Sequence, residues 1–179
     1  IEELTALMGT EVDRALHLDT VCVLILESTN GVFVAPRGGL RPLPGSSALV
    51  ALASASGAPA DVDLEVPGSP LAGLPSEERD WLADGALRLL VPILGSGGGA
   101  LGLIALGAKK SELPFTREDR ALLEAIAASG ALALETLPQA RSGTRLGPRD
   151  SASGAWEHGE RLALECEACH LLVEPAEGP

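Results

Sequence analysis

Apolar and polar positions follow two different rhythms in the first part of the chain. In residues 1–18 the apolar positions recur every three or four residues, which predicts an amphipathic helix. The run TVCVLILE (20–27) has no polar alternation and predicts a strand that is covered on both faces. The tetrapeptide STNG (28–31) contains the Asn-Gly pair that is typical of hairpins, so VFVAP (32–36) is expected to return as a second strand.

The middle of the chain carries weaker periodic signals. Residues 36–75 are rich in Pro, Gly, Ser and Ala, and only a short helix at 46–56 and a short extended piece at 61–66 are predicted there. The segment SEERDWLADG then predicts a helix with acidic residues in its first turn. We expect Ser76 to be its N-cap and Gly85 its stop signal.

A second hairpin and a long helix are predicted next. The apolar runs ALRLLVPILG (86–95) and ALGLIALGAKK (100–110) are separated by a glycine-rich loop, which is typical of two paired strands. Residues 116–137 predict a long closing helix. Thr116 is its expected N-cap, with Asp119 in the place of the usual Glu or Gln of a capping box.

The composition changes after the closing helix. From 138 to 160 the chain is rich in Arg, Gly, Ser and Pro, which is typical of a flexible linker. We therefore divide the chain into a domain at 1–137, a linker at 138–160 and a tail at 161–179.

The order of these elements resembles a known family. The stretch LLVPILGSGGGALGLIALGAKKSELPFTREDRALLEAIA (89–127) is similar to the second hairpin and closing helix of GAF domains, the small-molecule sensor modules of bacterial signalling proteins. The resemblance implies an α+β fold in which an antiparallel sheet has the N- and C-terminal helices on one face and a ligand pocket on the other. The segment 40–85 would form the roof of that pocket.

Composition and charge exclude several classes of function. The chain has 179 residues with 46% hydrophobic content, a formal net charge of −12, and only two Phe, two Trp and no Tyr. Nucleic acids and acidic membrane surfaces are therefore not expected partners, because binding them requires clustered Lys and Arg. The longest apolar runs fall short of the ~20 residues that span a bilayer. Three cysteines do not form a disulfide framework, so a cytoplasmic location is expected.

A five-residue motif distinguishes the GAF domains that bind cyclic nucleotides. The family has Asn-Lys, then Phe, then Asp-Glu, and the corresponding residues here are Ala108, Lys109, Phe115, Asp119 and Arg120. Two of the five depart from the family pattern. The alternative interpretation of Lys109 and Asp119 is a structural salt bridge between the last strand and the last helix, contributing about 0–1 kcal/mol if exposed.

Other known subfamilies fit no better. The positions similar to the polar cyclic-nucleotide contacts hold Cys22, Arg37 and Ala105, none of the expected type. Bilin-binding members attach their chromophore to a cysteine inside the domain, whereas the Cys-His pair at 169–170 lies beyond it. GAF-type redox enzymes need several loop cysteines, and 1–137 contains only Cys22. A packing role for this thiol is favoured over a chemical one.

We therefore expect a non-enzymatic sensor or regulatory domain of a bacterial signalling protein, with its output domain outside this sequence. The ligand is an unknown small molecule, and the residues expected to line its pocket are Cys22, Leu24, Arg37, Trp81 and Arg88. Arg37 and Arg88 would favour an anion, unless they simply point to solvent. The alternatives are a ligand-free GAF domain that acts as a dimerisation scaffold and a GAF-type redox enzyme.

A homodimer through the terminal helices is also expected. The apolar face of 1–18 and the small-residue face of 117–137 together exceed what one side of a small sheet can cover. The alternative is a helix pair within one chain that buries both faces.

The tail contains a compact group of metal-ligating residues. The sequence CEACH places Cys166, Cys169 and His170 within five positions. Covalent c-type haem is not expected, because it requires export and a shielding pocket. The Cys-x-x-Cys pattern instead resembles half of a zinc ribbon, whose sites need four ligands. The tail is therefore predicted to be metal-free or to complete a zinc site with another chain, the alternative being two incidental thiols.

Overall fold

The computed structural model describes residues 1–64, 66 and 68–137, together with the backbone of two short strands in the tail. The first unit contains, in order, α1 (Glu2–Leu16), β1 (Val21–Glu27), β2 (Val32–Val34), β3 (Leu43–Pro44), α2 (Ala48–Ser56), β4 (Ala60–Asp61), a 3-10 turn (Pro70–Gly73), α3 (Ser76–Asp84), β5 (Leu89–Leu94), β6 (Ala100–Leu106) and α4 (Arg117–Thr136). The predicted helices and the two predicted hairpins are present with shorter bounds, whereas the extended piece predicted at 61–66 overlaps β4 only at Asp61.

The strands form one antiparallel sheet in the order β3-β2-β1-β6-β5-β4. Both predicted hairpins are confirmed, since β1 pairs with β2 and β5 pairs with β6. The centre of the sheet is the pairing of β1 with β6, in which Cys22 lies opposite Ala105 and Leu24 opposite Leu103. This α+β architecture confirms the fold class that the GAF resemblance implied.

Both faces of the sheet are covered, which explains why the central strands lack polar alternation. On one face, which we call the helix side, α1 and α4 pack over the sheet through buried residues such as Val12, Leu123 and Ile104. On the opposite face, the roof side, α2, α3 and the intervening loops cover residues such as Leu24, Phe33 and Leu103. The buried apolar residues of the central strands therefore contribute to two separate cores.

The helix ends show where local signals were sufficient. The predicted capping box of α4 is confirmed: the Thr116 hydroxyl accepts the Asp119 N–H at 3.2 Å, and the Asp119 carboxylate accepts the Thr116 N–H at 2.6 Å. Gly85 ends α3 as expected. Ser76 is not the N-cap of α3, because Pro75 holds the extended backbone that precedes the helix and Ser76 is already its first helical residue.

The tail forms a second unit, of which two strands are described. β7 (Leu164–Glu165) and β8 (Leu172–Val173) pair antiparallel, with Leu164 opposite Val173. The predicted linker at 138–160 and the predicted metal ligands lie outside the described residues. None of the helices in the described part of the chain has the length and apolarity needed to cross a membrane.

Candidate functional site

The roof side of the sheet, where the ligand pocket was expected, is filled by apolar side chains. Leu49, Leu82 and Leu103 are each at most 2% exposed and belong to one continuous cluster with the inward residues of β1 and β2. A cavity of about 200 Å³ lies beside α2 at the margin of this cluster, with Phe33 and Val50 in its walls. The segment over the sheet therefore forms a packed core of the domain.

Three of the five residues predicted to line a pocket belong to this core: Cys22, Leu24 and Trp81. Leu24 is fully buried on β1, and Trp81 of α3 is 3% exposed. The indole Nε1–H of Trp81 donates to the Arg41 carbonyl oxygen at 2.8 Å, so the only polar atom of its side chain has a partner. This bond fastens α3 to the loop that precedes β3.

Cys22 also lines an open groove at the edge of the sheet, together with Arg37. The groove has a volume of about 440 Å³ and lies between α1, the first half of β1 and residues 37–38. The Arg37 side chain is exposed, whereas Cys22 is 5% exposed and its Sγ lies 3.8 Å from the Gly38 carbonyl oxygen. The structure thus brings two of the predicted residues together, on the edge of the sheet.

Burial controls the chemistry of the Cys22 thiol. Removal from water raises the pKa of Cys22, and the hydrogen bond with the Leu40 backbone offsets only part of that effect. The thiol is consequently protonated at neutral pH and a poor nucleophile. This agrees with a packing role for Cys22.

Arg88 lies in a third place, next to a wide groove of about 1030 Å³. The groove runs between β4, the end of α3 and the loop before α4, and its apolar walls include Leu87 and Phe115. Arg88 is exposed, and its guanidinium forms no ion pair with any residue that the structure describes. Arg120, on the same groove, is bound to Asp61 at 2.7 Å.

Lys109 and Asp119 form the salt bridge that was the structural interpretation of these two residues. Both side chains are largely buried, at 11% and 16% exposure, and the Lys109 ammonium also lies 5.5 Å from the centre of the Phe115 ring. Burial opposes ionisation of Asp119, but the hydrogen bonds from Lys109 and Thr116 outweigh it and lower the pKa of this carboxyl. The pair ties the end of β6 to the first turn of α4.

Metal ligands do not cluster in the described part of the chain, where no group of three His, Cys, Asp or Glu side chains could hold an ion. Cys166, Cys169 and His170 fall between β7 and β8 in sequence and lie outside the described residues. Zinc binding by the tail therefore stays a prediction.

The helix side carries a feature that the sequence analysis missed. The main apolar faces of both terminal helices are buried within one chain, through Met8 and Leu16 of α1 and Leu123 and Leu134 of α4. A second stripe remains exposed on α4 and consists mostly of apolar and small residues: Glu118, Leu122, Ala125, Ser129, Leu132 and Thr136. These residues recur at alternating intervals of four and three, which is the spacing of a coiled-coil seam.

Comparison with protein families agrees with this geometry. The family model of the GAF domain matches residues 1–134. The chain belongs to the GAF domain family. No curated protein sequence matches this GAF domain.

Solved structures with the same fold come from several kinds of protein. The GAF domain/HD domain protein from Geobacter sulfurreducens aligns with a TM-score of 0.59 at 16% identity, over 77% of this chain and 96% of that one. The GAF domain of a two-component sensor histidine kinase from Bacillus halodurans aligns with a TM-score of 0.55 at 18% identity, over 75% and 93%. The blue-light absorbing form of the PixJ GAF domain from Thermosynechococcus elongatus aligns with a TM-score of 0.53 at 16% identity, over 75% of this chain and 84% of that one. At these identities the likeness concerns the fold of this GAF domain.

Proposed function

We propose that this chain is a regulatory GAF domain of a signalling protein, located in the cytoplasm, which acts through the helix layer formed by α1 and α4. Its roof-side interior serves as a structural core in this proposal, and catalysis is left to other domains. The observation that carries the proposal is the filled roof side, where Leu24, Leu49 and Leu82 occupy the space between sheet and roof with at most 1% exposure.

The exposed stripe of α4 indicates how such a domain would act on a second copy of itself. Leu122 and Leu132 are 39% and 66% exposed, and the hydroxyl of Ser129 is bonded to the Ala125 carbonyl oxygen, so the stripe presents few unsatisfied polar groups. Leu7 of α1, 59% exposed, adds apolar area on the solvent side of the same layer. Parallel association of two such helices would form a homodimer with the regular seam of a coiled coil.

The fold comparisons agree with this role. Solved GAF domains of similar fold belong to a sensor histidine kinase from Bacillus halodurans and a phosphoenolpyruvate-protein phosphotransferase from Acinetobacter. In a homodimer of this chain, a change in the packing of α1 against α4 would be transmitted to whatever domain follows or precedes the helices.

The oligomeric state tests the proposal. Leu132→Glu should convert a dimer into a monomer in sedimentation equilibrium, because it places a charge in the middle of the exposed stripe. Ala51→Glu, on the exposed face of α2, adds the same charge to the roof and should leave the dimer intact. A wild-type protein that stays monomeric at high micromolar concentration would refute the dimer.

Sensing of a small anion is the second candidate function, and the groove beside Arg88 favours it. The Arg88 guanidinium, which forms no ion pair with a described residue, lies next to the apolar walls of Leu87 and Phe115 and could hold a carboxylate or phosphate that carries an apolar group. Thermal-shift titration with benzoate, citrate and AMP tests this function. A stabilisation that Arg88→Ala abolishes and Arg79→Ala retains would support it, since Arg79 is an exposed arginine on α3 outside this groove.

A further inference from the structure

One edge of β1 has no neighbouring strand along half of its length. β1 contains seven residues and β2 only three, and the two strands pair solely at Ile25, Leu26 and Glu27. Pro36 comes two residues after β2, and because it has no N–H to donate, the ladder with β1 does not continue through it. The segment Val21–Leu24 is therefore paired with β6 on one side and open on the other.

The hydrogen-bond pattern identifies the backbone groups at this open edge. Gly107 N–H donates to the Thr20 carbonyl oxygen at 2.9 Å, so the backbone groups of Thr20, and by alternation those of Cys22, face β6. The N–H and C=O groups of Val21 and Val23 consequently face away from β6. No backbone hydrogen bond joins these two residues to the segment 35–38 in the part of the chain that the structure describes.

Val21 and Val23 both line an open groove on this side of the strand. The low exposure of Val23, 7%, reflects the packing of its side chain in the helix-side core. An unpaired strand edge that faces an open groove is a place where another extended chain can add to the sheet.

The groove beside this edge lies between α1 and residues 37–38. Its volume is about 440 Å³, with β1 as its floor, Ala6, Gly9 and Thr10 of α1 on one wall, and Arg37 and Gly38 on the other. A Cβ atom at Gly9 would stand 3.8 Å from Val21, so α1 lies close above the strand. Small or β-branched side chains fit beneath α1, whereas aromatic rings would not.

The charges that line the groove favour an acidic side chain of the ligand on the roof-side face, next to Arg37. At the beginning of β1 the groove is lined by Lys110, Asp13 and Asp19, whose formal charges sum to −1, so an acidic residue of a ligand is disfavoured at that end. Arg37 stands beside Cys22, and its guanidinium forms no ion pair with the described residues. A residue paired opposite Cys22 would direct its side chain to the same face as the Cys22 thiol, where Arg37 lies.

We propose that this groove binds an extended segment of a partner protein, which adds to the sheet antiparallel to β1. The segment forms backbone hydrogen bonds with Val21 and Val23, and it presents a β-branched or small residue, an acidic residue and a second β-branched or small residue in succession. The site lies on the flank of α1, away from the exposed stripe of α4. Peptide binding and dimerisation are therefore separate properties that can fail independently.

The test uses a defined probe, the capped peptide Thr-Val-Glu-Val-Thr, titrated into the ¹⁵N-labelled chain. We expect saturable shifts at Val21, Val23 and Arg37, and at least a tenfold slowing of amide exchange at Val21 and Val23 with no change at Cys22 and Leu24. N-methylation of both valines should abolish binding. Replacing the glutamate by lysine should weaken binding at least tenfold, and Arg37→Glu should restore binding of the lysine peptide.

Two tryptophan substitutions on α1 form a matched pair, one that blocks the groove and one that serves as its control. Thr10→Trp fills the groove and should abolish binding, while Arg14→Trp, on the solvent side of the same helix, should bind normally. Val21→Pro removes an outward N–H without removing a bond to β6 and should also weaken binding; if it unfolds, Thr10→Trp carries the test. Absence of saturable shifts, shifts elsewhere on the domain, or slow exchange of the Val21 and Val23 amides caused by self-association would each overturn the proposal.

Discussion

The roof side and the helix side of the sheet are both covered by buried apolar side chains, but different kinds of elements cover them. Two helices of 15 and 20 residues cover the helix side. The roof is assembled from two helices of 9 residues each, a 3-10 turn and loops. Such short helices have little stability of their own, so the roof depends on tertiary contacts that come from distant parts of the chain.

Two polar contacts show this dependence. The Glu78 carboxylate of α3 accepts the backbone N–H groups of Ala48 at 3.0 Å and Leu49 at 2.7 Å, and thereby caps the first turn of α2 from 30 residues away. Trp81 is fastened to Arg41 in a similar way. On the helix side, the corresponding cap of α4 is local, because Thr116 and Asp119 bond to each other. We therefore expect single substitutions in the roof to lower the free energy of unfolding more than single substitutions on the helix side do.

The largest effect is expected for Trp81→Ala. Removing a buried indole leaves a large cavity in the roof core, so the free energy of unfolding should fall by about 3–5 kcal/mol in urea denaturation. Trp81→Phe, which retains most of the ring but loses the bond to Arg41, should cost clearly less. Equal losses for the two variants would mean that the hydrogen bond, and not the packing, fastens the roof.

Glu78→Ala should produce the second largest effect. Two N–H groups at the start of α2 lose their acceptor, which should lower the free energy of unfolding by about 1–2 kcal/mol. The matched control is Glu77→Ala, because Glu77 is the preceding residue of α3 and is exposed. If both variants lose the same stability, the cap across the roof has no energetic role.

Asp119→Asn tests the helix side and should have the smallest effect, about 1 kcal/mol at neutral pH. The pKa of Asp119 is lower in the folded chain than its ordinary value of 3.8, so the stability from its ionised form is present above that value and lost as the pH falls through the folded-state pKa. The difference between wild type and variant should therefore narrow on acidification from about pH 6 to about pH 3. A difference that stays constant with pH would exclude the charge as its cause.

The sequence predicted the features that depend on neighbouring residues. The order of helices and hairpins, the capping box at Thr116 and the stop at Gly85 all follow from short-range patterns, and each is present. The Lys109–Asp119 bridge was also available from the sequence, because its two residues occupy a recognisable motif.

The candidate site was harder to predict because it depends on long-range geometry. Cys22, Leu24 and Trp81 were expected to line one pocket with Arg37 and Arg88, and the structure places the first three together in the roof-side core. Arg37 and Arg88 lie at two different grooves, which only the tertiary arrangement decides. The open edge at Val21 depends on where β2 ends. Pro36 can be read as the end of this pairing only once the register between β1 and β2 is known. The exposed stripe of α4, in contrast, lies within the segment 117–137 that was already expected to mediate dimerisation, and its regular spacing is visible in the sequence.

The contact between Gly130 and Met8 has a mechanical consequence for the helix layer. A Cβ atom at Gly130 would stand 2.5 Å from Met8 Cε, so the methionine occupies the space that the missing side chain leaves on α4. Sliding α4 along α1 by one turn, about 5.4 Å, would bring Ile126 or Leu134 to that position, where the methionine has no room. Axial displacement of the helix pair therefore requires the Met8 side chain to change its rotamer, whereas a tilt or a rotation about this contact does not.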